Sequence, residues 1–194
     1  MLTLDRHIAT CEDWLVHPQH APSVNGKNII THGGWCIGVT RESWELPSLG
    51  DSALIAYEST PRAEIHVSDP LDVPLGAICY GLHGDFGQPK SPFGHAWTAA
   101  HNTGCYTTDY GGVGRLWYEP MSLPRWTRVG TVSWTAWTKY GRLPVGRTHR
   151  QVLAAAKKLS KHQLHVIHLV NIGKASDHQR HVVHVWRTTG VWDE

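Results

Sequence analysis

The sequence predicts an α+β domain in which N-terminal helices are followed by an antiparallel β-sheet. Two observations support this class: apolar residues first recur at helical spacing, and from about residue 75 they recur at every second position. That order, helices before strands, is typical of α+β proteins. The chain of 194 residues, 41% of them hydrophobic and 18% charged, is long enough for one buried core and too apolar for disorder.

Three helices are expected in the N-terminal part. Residues 3–16 carry apolar side chains at helical spacing, and a loop rich in Pro, Asn and Gly follows. A second helix is expected over 35–44 and a third over about 51–58. Gly50 or Asp51 is the expected cap of the third helix.

Residues 59–73 are expected to form a connector. After it, apolar residues recur at every second position. A Gly/Pro-rich loop at 81–94 separates the first two strands, and the HNTG turn at 101–104 predicts a hairpin. The expected strands cover residues 75–80, 95–100, 105–109, 115–119 and 131–137.

The pattern changes again after Gly141. Residues 148–151 (THRQ) are typical of a capping box that opens a helix. We therefore expect a main domain over 1–143 and a small C-terminal appendage over 144–194, either a packed extension or an accessory module. The expected buried stripe of its helix consists of Leu153, Ala156 and Leu159.

Composition excludes several classes of function. The net charge of +2 is too mild for a dedicated nucleic-acid binder, so we expect no nucleic-acid partner. No apolar run approaches the roughly 18 residues of a membrane span, and the N-terminus lacks the apolar core of a signal peptide. The four cysteines are far apart without a CxxC pair, which argues against a thiolate zinc site.

Cysteine and histidine are the remaining candidates for catalytic residues, because the sequence contains no HExxH, GxSxG, P-loop or GxGxxG motif. A nucleophilic cysteine is favoured at a helix N-terminus and needs a histidine base. Cys36 follows Gly-Gly-Trp at the expected start of the second helix, whereas Cys11 lies on an apolar helix face. Cys79 and Cys105 fall in expected strands, where packing is the default interpretation.

His95 is the best candidate for the base. It begins an expected strand, so its ring can point from a strand end toward a helix N-terminus. If the hairpin closes around residues 102–103, Asp109 lies near His95 in register and could orient the imidazole. An uncertainty of one residue in the register keeps Asn102, Thr107 and Thr108 as alternatives.

The C-terminal histidines offer a competing interpretation, a zinc site. On helices, two sets with a spacing of three could place neighbouring imidazoles on one face, but on strands the same spacing separates them. We expect no metal and no cofactor. The two sets are His162, His165 and His168, and His178, His181 and His184.

Five segments follow one another within residues 3–143: GGWCIGVTRESW, DSALIAYEST, PLGAICYG, FGHAWTAA and CYTTDYGGVGRLWYEP. Their order and spacing resemble the CHAP-type cysteine peptidase/amidase superfamily, and more closely the papain-like N-terminal peptidase domains of actinobacterial phage lysins. In that family a Cys begins a helix, a His begins a strand after Gly, and a polar residue on the next strand completes the triad. Trp97 and Thr98 depart from the small or branched apolar residues usual after the His.

The resemblance implies a papain-like fold and a phage endolysin that hydrolyses a peptidoglycan amide. It implies Cys36 as nucleophile, His95 as base and Asp109, or one of its alternatives, as third member. The bond cleaved stays open between a stem-peptide endopeptidase and an N-acetylmuramoyl-L-alanine amidase. Such an enzyme would stay in the host cytoplasm until lysis and then reach the cell wall.

Two rival functions remain. The chain could be a non-catalytic wall-binding or virion component with the same fold. It could also be a cysteine-dependent toxin or transferase that modifies proteins, because acyl-enzyme chemistry serves transfer as well as hydrolysis. In each case we expect no membrane insertion, and we expect a monomer.

Overall fold

The computed structural model describes residues 3–31, 35–81, 93–108, 116–121 and 130–156. These residues form helices and antiparallel sheets, which confirms the α+β class. No helix within these ranges has the length and apolar character of a membrane span.

The three expected N-terminal helices are present, as α1 (Leu4–Val16), α2 (Cys36–Ser43) and α3 (Ala53–Ser59). Thr3 caps α1 by accepting a hydrogen bond from the Arg6 N–H at 3.3 Å. The expectation that Gly50 or Asp51 caps α3 was wrong. Ser52 is its N-cap, because the Ser52 Oγ accepts from the Ile55 N–H at 3.2 Å while the backbone of Ser52 is still extended.

The described part of the chain contains ten strands: β1 (Ser23–Val24), β2 (Lys27–Asn28), β3 (His66–Ser68), β4 (Ile78–Gly81), β5 (His95–Ala99), β6 (Gly104–Thr107), β7 (Trp117–Pro120), β8 (Val132–Thr135), β9 (Trp137–Thr138) and β10 (Gly141–Arg142). Six of them form the central sheet in the order β3-β8-β4-β5-β6-β7. The other four make two short pairs, β1 with β2 and β9 with β10. All of these pairings are antiparallel.

The hairpin of β5 and β6 lies near the middle of the sheet and agrees with the expected turn. Ala99 is opposite Cys105 and Thr98 is opposite Tyr106. A 3₁₀ turn joins the two strands, and its Asn102 adopts a left-handed conformation with φ of 52°. Asn tolerates that conformation better than most residues.

Strand β3 is an element that the sequence pattern did not predict. It lies within the segment that was expected to be a connector, at the edge of the sheet beside β8. Its His66 and Val67 side chains are both exposed, so β3 lacks the alternation of buried and exposed residues that marks a half-buried strand.

The two faces of the central sheet belong to different apolar clusters. Because side chains alternate along a strand, neighbouring residues of β4 and β5 point to opposite faces. One face packs with residues of α2 and α3 through Ile78, Tyr80 and Ala96. The cluster on the opposite face includes Cys79, Trp97, Ala99, Cys105 and Val132.

The C-terminal helix α4 (His149–Ala156) begins with the expected capping box. The Thr148 N–H donates to the Gln151 Oε1 at 2.8 Å, and the Gln151 N–H donates to the Thr148 Oγ1 at 3.2 Å. The two reciprocal bonds satisfy backbone donors that a helix start otherwise leaves without partners.

Helix α4 lies against the main body of the chain. Arg150 donates two hydrogen bonds to the Asp72 carboxylate, at 2.6 and 2.9 Å. Val152 is buried, whereas Leu153 is 45% exposed, so the expected stripe was wrong at Leu153. The division of the chain at residue 143 stays a prediction, since 157–194 lie outside the described residues.

We predict that Gly76→Ala lowers the free energy of unfolding far more than Gly26→Ala. Both glycines have positive φ, 80° and 74°. A methyl group at Gly76 would lie 2.6 Å from the Leu4 Cδ1 and 2.9 Å from the Trp44 ring, whereas at Gly26 it meets nothing within 4 Å. Backbone strain costs about 1 kcal/mol at either site, and overpacking adds about 2 kcal/mol at Gly76. Urea unfolding measures the free energy of unfolding of each variant. An equal decrease in the two variants would contradict the close packing at Gly76.

Candidate active site

Cys36 is the first residue of α2 and follows Trp35, the N-cap. The residue is buried, but 8% of it is exposed, more than for any of the other three cysteines. The Trp35 ring lies over the first turn, 3.3 Å from where a Cβ on Gly38 would stand. A thiol here is beside the unpaired N–H groups of a helix start, which stabilise a thiolate.

The backbone before His95 is anchored to the first turn of α3. The Leu54 N–H donates to the Phe93 carbonyl at 2.8 Å. Gly94 has φ of 67°, and a Cβ there would lie 3.1 Å from the Gly81 carbonyl oxygen and 3.3 Å from the Leu54 nitrogen. Only glycine fits this turn without strain, and the turn determines where β5 and its first residue, His95, begin.

The His95 ring is held by Thr107 of the next strand. The His95 Nε2 lies 2.8 Å from the Thr107 Oγ1. The Thr107 hydroxyl donates to the Thr108 carbonyl at 3.3 Å, so its lone pair is oriented to accept from an Nε2–H. This arrangement favours the tautomer in which the Nδ1 carries a lone pair rather than a proton, as a base requires.

Of the residues considered for the third position, Thr107 is the one that the structure brings to His95. Asn102 lies in the hairpin turn, and Thr108 accepts the Thr107 hydroxyl through its carbonyl. Asp109 lies outside the described residues, so its role stays a prediction.

Burial lowers the pKa of His95 to about 4. The imidazole is therefore neutral at pH 7 and can accept a proton. The lowered pKa also means that forming the imidazolium costs free energy. Proton transfer from a thiol therefore needs the resulting negative charge to stay close to the ring. A thiolate or an oxyanion beside the ring would provide that charge.

The elements that carry Cys36 and His95 are in contact with each other. Helix α2 packs against β5, and Cys36 belongs to the apolar cluster that contains Ala96. The His95 ring lies on the face of Trp97, whose ring centroid is 6.0 Å away. Because neighbouring residues of a strand point to opposite faces, His95 shares the Trp97 face of the sheet rather than the Ala96 face. The pairing of the Cys36 thiol with the His95 imidazole stays a prediction.

A second cysteine–histidine pair lies inside α1. The Cys11 Sγ is 4.0 Å from the His7 Nε2, and the His7 ring stacks on Trp44 with centroids 3.9 Å apart. Both residues are buried. Burial raises the pKa of Cys11 to about 12 and lowers that of His7 to about 3. Both side chains are therefore uncharged and pack in the core. Their spacing of four residues on a helix brings a Cys next to a His without making a catalytic pair.

The other two cysteines are also core residues. Cys79 and Cys105 are fully buried in β4 and β6. Burial raises the pKa of the Cys79 thiol, which lies 3.8 Å from the Ala77 carbonyl oxygen. Buried thiols of this kind are unreactive.

Comparison of the chain with models of protein families, with curated proteins and with solved structures found no match. The resemblance to the CHAP-type superfamily therefore depends on the five sequence segments alone. The papain-like fold stays a prediction within the α+β class.

We predict that iodoacetamide alkylates Cys36 at least about tenfold faster than Cys11, Cys79 or Cys105 in the native protein. Helix position favours Cys36, and it is the least buried of the four thiols, with 8% of the residue exposed against 0–1% for the others. Peptide mass spectrometry after timed quenching gives each rate. His95→Gln should slow Cys36 labelling about tenfold near pH 7, because the base is lost.

The control for this substitution is His66→Gln, which removes an exposed imidazole from β3. Its Cys36 labelling rate should equal that of the wild type. Equal rates at all four cysteines, or no effect of His95→Gln, would contradict the assignment.

We also predict that the protein loses stability as the pH falls below about 6.5. Burial places the pKa of His7 near 3 and that of His95 near 4, both below the ordinary value of 6.5. The unfolded chain therefore binds these protons first. Each group lowers the free energy of unfolding by up to about 1.4 kcal/mol per pH unit until it protonates in the folded state.

Urea unfolding between pH 7 and pH 4.5 measures this slope. His95→Gln removes the contribution of His95 and should make the slope shallower. A slope that is unchanged in His95→Gln would show that the His95 ring is not shielded from water.

Proposed function

We propose that the protein is a cysteine hydrolase that cleaves an amide bond of bacterial peptidoglycan. The observation that carries the proposal is the position of Cys36. Of the four cysteines, all within the described residues, it alone begins a helix, and that helix packs on the strand that begins with His95. The Thr107 Oγ1, which accepts from the His95 Nε2–H, adds the polar group that such a base needs.

The proposed reaction has two stages. The Nδ1 of His95 takes the proton of the Cys36 thiol, and the thiolate attacks the amide carbonyl carbon. The imidazolium then gives its proton to the leaving nitrogen, the C–N bond breaks, and a thioester and a free amine result. A water molecule, deprotonated by His95, attacks the thioester and restores the thiol with release of a carboxylic acid.

The negative oxygen of each tetrahedral intermediate needs hydrogen-bond donors. The backbone N–H of Cys36, at the start of α2, is the first of these in our proposal. Thr107 acts through His95 by orienting its ring, so it is a positioning residue rather than a catalytic one.

The substrate class comes from the resemblance to phage lysins rather than from the geometry. A lysin of this kind would remain in the host cytoplasm until lysis and then act on the wall. Peptidoglycan is thus the first substrate to test.

The test is digestion of purified peptidoglycan by the wild type, Cys36→Ala and Cys11→Ala, followed by mass spectrometry of the soluble fragments. We expect the wild type and Cys11→Ala to release fragments, and Cys36→Ala to lose at least about 10³-fold in rate, since nothing replaces the nucleophile. New amines within stem peptides would identify an endopeptidase, and whole stem peptides freed from lactyl groups an amidase.

Three results would contradict the proposal. Activity retained in Cys36→Ala would exclude the mechanism. Binding to walls without release of any fragment would favour the wall-binding or virion component. Transfer of an acyl group to an added amine, without hydrolysis, would favour the transferase.

A further inference from the structure

Three polar side chains meet at the C-terminal end of α1. All three precede, in the sequence, the residues proposed for catalysis. We call Asp13, His17 and His20 the Asp13 cluster. One ligand atom from each of the three lies within 4.8 Å of the other two. The sequence pattern, Asp-x₃-His-x₂-His, joins a helix to the turn that follows it.

The backbone explains why the three side chains converge. Asp13 and His17 are four residues apart and share one face of α1. The chain then enters a 3₁₀ turn at Pro18, which brings the His20 ring back over His17, with ring centroids 4.9 Å apart. Asn28 of β2 holds this turn from the other side, because its Nδ2 donates to the Pro18 and Ala21 carbonyls at 3.0 Å each.

Both imidazoles direct the same nitrogen at the carboxylate. The His17 Nδ1 is 3.1 Å from the Asp13 Oδ1, and the His20 Nδ1 is 3.1 and 3.0 Å from the two oxygens. In a tetrahedral zinc site, bonds of about 2.0–2.2 Å separate neighbouring ligand atoms by about 3.4 Å. Shifts of a few tenths of an ångström would therefore open the cluster to an ion.

We propose that the Asp13 cluster binds one divalent ion of the zinc class through the Asp13 carboxylate and the Nδ1 atoms of His17 and His20. Two imidazoles and one carboxylate suit zinc, cobalt or nickel, whereas calcium and magnesium prefer oxygen ligands throughout. The side chains are about half exposed, so water completes the coordination. The ion joins the end of α1 to the turn that Asn28 supports.

The carboxylate is charged and ready to bind. Partial burial acts to raise the pKa of Asp13, but hydrogen bonds from His20 and then His17 hold it below its usual range. The side chains of His17 and His20 are about half exposed, so an ion in solution can reach them.

The test measures the chemical reactivity of each histidine separately. Total zinc binding would not suffice, because residues 157–194 contain further histidines that could add to it. The full-length protein is stripped of metal, titrated with zinc chloride and treated briefly with diethylpyrocarbonate. Peptide mass spectrometry then gives the modification rate at His17 and His20, with exposed His66 as internal control. We expect zinc to slow modification at least about tenfold at His17 and His20 and to leave His66 unchanged.

Asp13→Asn removes the charged ligand, and Asp5→Asn makes the same change in the first turn of α1 as a matched control. Each variant is compared with and without zinc, so that any change in intrinsic histidine reactivity cancels. Asp13→Asn should raise the zinc concentration for half-maximal protection at least about tenfold, and Asp5→Asn should not change it.

Three outcomes would overturn the proposal: no protection by zinc in the wild type, protection that is unchanged in Asp13→Asn, or equal protection by magnesium or calcium chloride. None depends on peptidoglycan hydrolysis, so failure here leaves the proposed function intact.

Discussion

The packing of α2 against β5 is the contact on which the rest of the site depends. The small Ala96 lets the helix lie close to the middle of the sheet, in the cluster that also contains Cys36 and Ala53. The same strand begins at His95, whose position is determined by Gly94 and its contact with the first turn of α3. In the proposed site, this packing and the Gly94 turn bring the start of α2 and the start of β5 together. A larger residue at 96 would push α2 outward and separate the two.

Environment, rather than the presence of a Cys and a His, distinguishes the candidate site from the core. The Cys11–His7 pair has a contact between sulfur and ring nitrogen, yet burial keeps both groups uncharged. Cys36 is the least buried of the four cysteines and begins a helix, where partial charges of the backbone favour a thiolate. The hydroxyl of Thr107 supports His95 without adding a charge, which is consistent with an imidazole that stays neutral at pH 7.

Local patterns in the sequence predicted the elements that carry the site. The helical start at Cys36, the strand start at His95 and the hairpin that follows were all visible from spacing and turn residues. Strand β3 was missed because its edge position leaves no alternating pattern, and Ser52 was missed as a cap because Gly50 and Asp51 offer equally good local signals. The contact of Thr107 with His95 depends on which face of β5 the ring occupies, and the Asp13 cluster depends on the turn after Pro18. Neither is encoded in residue spacing alone.

The central claim is that the Cys36 sulfur becomes covalently attached to its substrate. The direct measurement is mass spectrometry of the protein quenched in acid during turnover of soluble peptidoglycan fragments. We predict a thioester adduct on the peptide that contains Cys36, with an added mass equal to that of the carboxylic acid product less one water, and its loss after treatment with hydroxylamine. Turnover without an adduct in wild-type protein, or an adduct on another cysteine, would contradict the account.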